Sequence, residues 1–188
     1  MVFLNRLLAA LGLVAALVAV PAGAQTISPI YQVSSGQYFA LVNRVDSFDR
    51  AMKTSDMAGV LGVVPPKMLE KIAAANSVTV EQLIAATQEQ INAAMTSMTI
   101  VSFGMDLKNA QFLLLPDDSP YALIPTETVI DMGEGGKYRA KSSTLGLLDG
   151  DTWYLVRVED QAQVVLLKEI YPAFADVVFP TGSMETVE

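Results

Sequence analysis

Between Thr99 and Val158 apolar residues recur at about every second position in run after run, and turn-forming residues separate the runs. A period of two marks half-buried β-strands. Joined by connections this short, the strands must pair antiparallel, because parallel neighbours need crossovers of roughly a dozen residues or more. Thr99 to Leu107 sets Val101, Phe103, Met105 and Leu107 against Ser102 and Asp106. Lys108-Asn109 reads as a turn, Gln111 to Leu115 as a short strand, and Pro116-Asp117-Asp118-Ser119-Pro120 as a loop. Tyr121 to Met132 is a longer strand. Its Pro125 cannot donate to a ladder, which predicts an edge, a bulge or an interruption there. Gly133-Glu134-Gly135-Gly136 is a turn, without the spacing or following helix of a phosphate loop. Lys137 to Leu148 and Asp151 to Val158 then meet at Asp149-Gly150, which predicts a type I′ hairpin.

Antiparallel pairing of these last two strands fixes their faces. Tyr138, Ala140, Ser142 and Thr144 share one face with Trp153, Leu155 and Arg157. Lys137, Arg139, Lys141, Leu145 and Leu147 share the other with Tyr154, Val156 and Val158.

A sheet with partly apolar faces needs a cover, and helical periodicity supplies it on both sides in sequence. Gln37 to Met52 carries Tyr38, Leu41, Val42, Val45, Phe48 and Met52 at helical spacing. Asp56 caps a short helix through Leu61. Pro65-Pro66 restarts the chain into Lys67 to Ala75, since proline suits a first helical turn. Thr79 and Gln82 form a capping box for a helix that ends near Ser97. After the strands, Asp160 caps a helix from Gln161 to about Tyr171, stopped by Pro172. The apolar Val177-Val178-Phe179 must dock or aggregate, and residues 181–188 are expected to be a disordered tail. Met52, Met57, Met68, Met95 and Met98 suit gap-filling in a core better than a pliable binding surface.

The N-terminus reads as an address. Arg6 precedes an apolar run from Leu7 to Val20, and Ala22 and Ala24 form the small-residue pattern of a signal peptidase site. The run is too short to span a bilayer comfortably. The expectation is a signal peptide over 1–24 cleaved after Ala24, a linker over 25–35, one α+β domain over 36–180, and a periplasmic location.

Composition excludes several chemistries. The 188 residues include no Cys and no His, so disulfides, thiol nucleophiles, imidazole bases and thiolate or imidazole metal sites are out of reach. No cofactor or metal is expected. A net charge of −8, more negative still once Arg6 leaves, disfavours nucleic acid and anionic headgroups as partners. Membrane contact is expected only during export.

Helices followed by a bent antiparallel sheet, with a tryptophan opening the strand after an Asp-Gly turn, resemble the nuclear transport factor 2-like (cystatin-like cone) superfamily. The resemblance rests on the Tyr38–Met52 helix, the Pro65–Met95 helical pair and Asp149-Gly150-Asp151-Thr152-Trp153-Tyr154-Leu155-Val156. It implies a conical sheet wrapped round a long helix with a pocket at the open end, and it often implies a homodimer through the sheet. The helix from Gln161 departs from the family's usual ending. Fold alone does not fix function, since such scaffolds host both enzymes and binding modules.

Three readings follow. The first is a non-catalytic periplasmic protein binding a small apolar ligand or a protein partner, with Tyr38, Tyr121, Tyr138 and Trp153 as aromatic contacts and Ser142, Thr144 and Arg157 as polar ones. The second is an isomerase- or dehydratase-like enzyme that uses a buried carboxylate and a tyrosine. Asp46, Asp49, Asp106 and Asp131 are its available acids, though none sits in a catalytic motif. The third is a homodimeric scaffold using Lys137, Arg139 and Lys141, with Glu127, Asp131 and Glu134 nearby. These charges also suit simple cross-strand pairing.

Overall fold

The computed structural model describes residues 31–54 and 56–187. The expected leader, its cleavage site and the first part of the linker lie outside them. The fold is α+β, with helices packed on a curled antiparallel sheet and a further helix after the last core strand.

Helix α1 (Ser35–Lys53) starts earlier than its apolar periodicity suggests. Ser34 and Gln37 form a capping box at its N-terminus, which takes the last residue of the expected linker into the helix. The next caps follow the sequence signals: Asp56 on α2 (Met57–Leu61), Pro66 at the first turn of α3 (Pro66–Ala75), and the Thr79–Gln82 box on α4 (Val80–Ala94). Leu61, Leu69, Ala73 and Leu83 close these three helices on one another.

The sheet is built on a long hairpin. Strands β3 (Pro120–Asp131) and β4 (Lys137–Asp149) pair without a break from Tyr121↔Leu147 to Asp131↔Lys137. Two shorter strands share each outer edge. β1 (Thr99–Met105) and β2 (Gln111–Leu114) lie end to end along β3, while β5 (Thr152–Arg157) and β6 (Ser183–Val187) lie along β4. Pro125 therefore sits in a continuous strand. Its carbonyl accepts from the Asp106 N–H at 2.8 Å, just past the end of β1, and pairing with β2 begins only at Leu123. The missing proline donor thus falls at a gap between two partners, where no ladder bond is lost.

Three local expectations are corrected. β1 does not alternate cleanly: a bulge between Ile100 and Ser102 leaves Val101 more than half exposed. The β4–β5 turn is one residue later than expected, because Asp149 pairs with Thr152 and the central residues are Gly150-Asp151. Only Gly150 there has positive φ, 61°, which fits type II′ rather than I′. The tail is not disordered through its length: Ser183–Val187 forms β6, paired from Lys141↔Ser183 to Lys137↔Val187. A weakly alternating segment of this kind becomes a strand only because β4 offers it a free edge.

The face assignment of β4 and β5 agrees with the register. Thr144, Gly146 and Leu148 stand opposite Arg157, Leu155 and Trp153, while Leu145 and Leu147 stand opposite Val156 and Tyr154. The first of these faces receives α1. Leu41 and Val45 pack on Ala122, Ile124, Trp153 and Leu155. Gly146 makes the close approach feasible, since a Cβ there would lie 3.3 Å from Ala122 Cβ and 3.4 Å from Leu41 Cδ1. Burial of each such side chain is worth about 1.5–3 kcal/mol.

The second face has its own core. Helix α5 (Gln161–Ile170), capped by Asp160, lays Val164 and Leu167 on Tyr121, Leu123, Leu145, Leu147 and Val156. Met68 and Phe174 complete it, and Val177 and Phe179 dock at its border. Met57, Met68 and Met98 are buried as gap-fillers, whereas Met95 is exposed.

Candidate functional site

The first face of the sheet has two halves. In the half under α1, Trp153 is 2% exposed, and its Nε1–H donates to the Gln37 carbonyl at 3.0 Å. Tyr38, one turn into α1, turns toward Phe112 of β2 with ring centroids 6.3 Å apart. Thr144 is buried diagonally across from Thr126 of the neighbouring strand, with their hydroxyl oxygens 2.8 Å apart. The Thr126 hydroxyl donates to the Ile124 carbonyl at 3.0 Å, so Thr144 is the donor between the pair. Helix and side chains fill this half. Trp153 and Thr144 are core rather than the open pocket lining the sequence suggested.

Tyr121 is on the opposite face. Even-numbered residues of β3 point toward α1, so this odd-numbered one points away. It is 2% exposed and meets Phe174 edge-on, with centroids 5.5 Å apart. The sheet separates it from Trp153, so the four aromatics do not form one cluster.

Tyr138 and Ser142 belong to the other half. There the register lines up Phe103, Thr128, Ala140 and Met184 in one row and Ile100, Ile130, Tyr138 and Thr186 in the next. Phe48, near the end of α1, meets the β1 side of this half, with its ring 5.4 Å from Phe103. Tyr138, Ala140, Ile130 and Ser142 are half-buried, and Met184 is 45% exposed. This apolar shelf with a tyrosine hydroxyl and a serine on it is the part of the first face left accessible. Arg157 is exposed at the sheet margin and paired with Glu159.

The four expected acids do not converge. Asp46 is exposed. Asp106 is exposed and caps a 3-10 turn; the Asn109 side-chain amide, 2.6 Å away, is the main reason its carboxyl sits below the ordinary value. Asp131 accepts from the Gly133 N–H and faces Lys137. Asp49, half-buried on α1, has one carboxylate oxygen out of contact with solvent and without a partner. Burial raises its pKa, Lys53 opposes the shift and Asp46 adds to it.

A carboxylate–tyrosine pair does exist, but at the other end of the sheet. Asp149 Oδ2 accepts from Lys67 Nζ at 2.8 Å and from the Tyr171 hydroxyl at 3.0 Å. The Lys67 hydrogen bond comes first among the causes that hold Asp149 below its ordinary value. Burial, then Asp149 itself, pushes Tyr171 well above its own. An ionised weak base beside a firmly neutral phenol suits an anchor between α3, the β4–β5 turn and α5. It is the reverse of the raised carboxyl that proton abstraction needs.

The cationic row on the second face is neutralised across the strands. Arg139 faces Glu127 at 3.3 Å and Glu185 at 3.5 Å, Lys141 faces Glu185 at 3.0 Å, and Lys137 faces Asp131 at 4.0 Å. Glu185 joins this ladder only through the pairing of β6 with β4, which no local pattern in residues 183–187 announces. Among the described residues no group of three or more His, Cys, Asp or Glu could hold a metal, and no helix is long and apolar enough to cross a membrane. Comparison with protein-family models, curated proteins and solved structures returns no match.

Proposed function

We propose that this chain is an exported, non-catalytic binding protein of the periplasm, cut after Ala24, whose accessible sheet face takes an apolar group. The observation that carries the reading is the asymmetry of that face. One half is sealed by α1, while the other leaves Ile130, Tyr138, Ala140 and Met184 half-open beside Ser142. A shelf of this kind supports a contact with an apolar side-chain cluster of a protein partner better than enclosure of a small apolar ligand. Helices leading into a curled antiparallel sheet also support kinship with the nuclear transport factor 2-like superfamily.

The test is to express the full chain with its leader, fractionate the cells, and analyse the gently purified product by native mass spectrometry. The expected product begins at Gln25, is recovered from the periplasm, and carries a bound species that Tyr138→Lys and Met184→Lys release without unfolding the protein. Retention of the same species by both variants would defeat the assignment of the shelf. An intact leader or a cytoplasmic product would defeat the export reading.

A further inference from the structure

The cations of the described fold divide into those with a carboxylate within 4 Å and those without, and Lys53, Lys108 and Lys168 fall with two arginines in the second group. Lys67, Lys71, Lys137, Arg139, Lys141 and Arg157 each have a carboxylate within 4 Å. Arg44 and Arg50, on α1, are not in an ion pair with any described residue, although Asp46 and Asp49 lie on the same helix. Both arginines line one groove of about 390 Å³ between α1 and the segment from Asp56 to Val63. Ala51 and Val63 form its apolar wall, and Gly59 and Gly62 contribute backbone there without side chains.

Arg44 is held in place before any ligand arrives. Its guanidinium lies 5.7 Å from the centroid of the Tyr154 ring, and its Nη1 donates to the Gly62 carbonyl at 3.4 Å. A guanidinium has five donors, so most of them remain for a ligand. Asp56 also lines the groove, but its carboxylate is engaged by the Gly59 N–H at 3.0 Å. The Ser47 and Thr54 hydroxyls donate to the Asn43 and Arg50 carbonyls and offer only lone pairs.

We propose that this groove is a binding site for a small oxyanion, a carboxylate or phosphate group on a short apolar body, gripped between Arg44 and Arg50. Two guanidinium groups without a carboxylate partner, lining one groove, leave planar donors free to take an oxyanion in a bidentate contact. In a chain of net charge −8, two arginines in one groove without a carboxylate within 4 Å make a local positive spot that favours a negative ligand.

The site is independent of the apolar shelf, so either can fail alone. The test is a titration of the ¹⁵N-labelled mature chain with inorganic phosphate and, separately, with succinate, at ionic strength held constant with chloride. Saturable shifts of the Gly59, Gly62 and Val63 amides are expected. Saturation by phosphate alone assigns a phosphate head group, and saturation by succinate alone or by both extends the site to carboxylates. Arg50 is exposed and makes no side-chain bond to a described residue. Arg50→Gln should therefore keep the spectrum elsewhere unchanged while weakening binding about tenfold. Lys137→Gln, an equal change of charge on the far sheet, should leave binding intact. Shifts that merely follow ionic strength, or that persist in Arg50→Gln and Arg44→Gln, would overturn the proposal.

Discussion

The buried Thr126–Thr144 pair gives the sharpest test of where the core ends and accessible surface begins. Thr144 donates to Thr126, and Thr126 donates to the Ile124 carbonyl. Thr144→Val removes one donor, but the Thr126 hydroxyl keeps its bond to Ile124, so the cost is about 0.5–1 kcal/mol. Thr126→Val removes the acceptor and strands the Thr144 hydroxyl in a site where the residue is 4% exposed. An unsatisfied buried hydroxyl costs about 1–3 kcal/mol. With both replaced, two β-branched side chains pack diagonally across β3 and β4, and the net change should lie within about 0.5 kcal/mol of zero. The double variant is thus more stable than the sum of the singles implies, by a coupling of about 1.5–4 kcal/mol. Urea denaturation followed by circular dichroism, with the slope held common, reads all four corners of the cycle. Additivity within about 0.3 kcal/mol would mean that each hydroxyl is served by water. The sealed half of the face would then be a wet pocket, as first expected for Thr144.

Three further outcomes test other parts of the fold. Gly146→Val would push a branched side chain into Leu41 and Ala122 and should cost about 1–3 kcal/mol in denaturant unfolding; an unchanged midpoint would mean that α1 does not lie on this strand. Asp149 has a depressed folded-state pKa, so the stability it contributes is present above its unfolded value and is lost as pH falls through the folded one. Urea midpoints measured downward from about pH 4 should therefore fall more steeply for the natural chain than for Asp149→Asn, and parallel curves would remove Asp149 from the acid response. Truncation after Gly182 deletes β6 and Glu185, so hydrogen exchange should speed up at the Lys137–Lys141 amides bonded to it while those in the β3–β4 ladder stay protected; equal protection in both chains would show that β6 does not pair.

Most of the secondary structure was legible because its signals are local. The Thr79–Gln82 box, Asp56, Asp160 and Pro66 mark helix starts by chemistry confined to a few residues. The alternation through β4 and β5 gave the two faces even though the turn between them was placed one residue early. Moving the two-residue loop by one changes the partner of Leu145 from Tyr154 to Val156, a step of two along β5 that keeps it on the same face. The site was less legible. Tyr121 and Trp153 look equivalent as strand aromatics, and only the register of β3 against β4 puts them on opposite sides. Ser183–Val187 carries little apolar pattern, so nothing local distinguishes it from a frayed end.

By itself, the sequence determined the alphabet of this protein: an α+β fold with an antiparallel sheet, most of its helix caps, an acidic surface, and a chemistry without thiols or imidazoles. These follow from composition and from contacts a few residues apart. Tertiary structure decided which half of the sheet is sealed and which stays open. It also decided that the cations of β4 meet Glu127, Asp131 and Glu185, and that Arg44 and Arg50 share one groove. These depend on the path of α1 across the sheet and on residues that meet across long stretches of chain, where no local periodicity reaches.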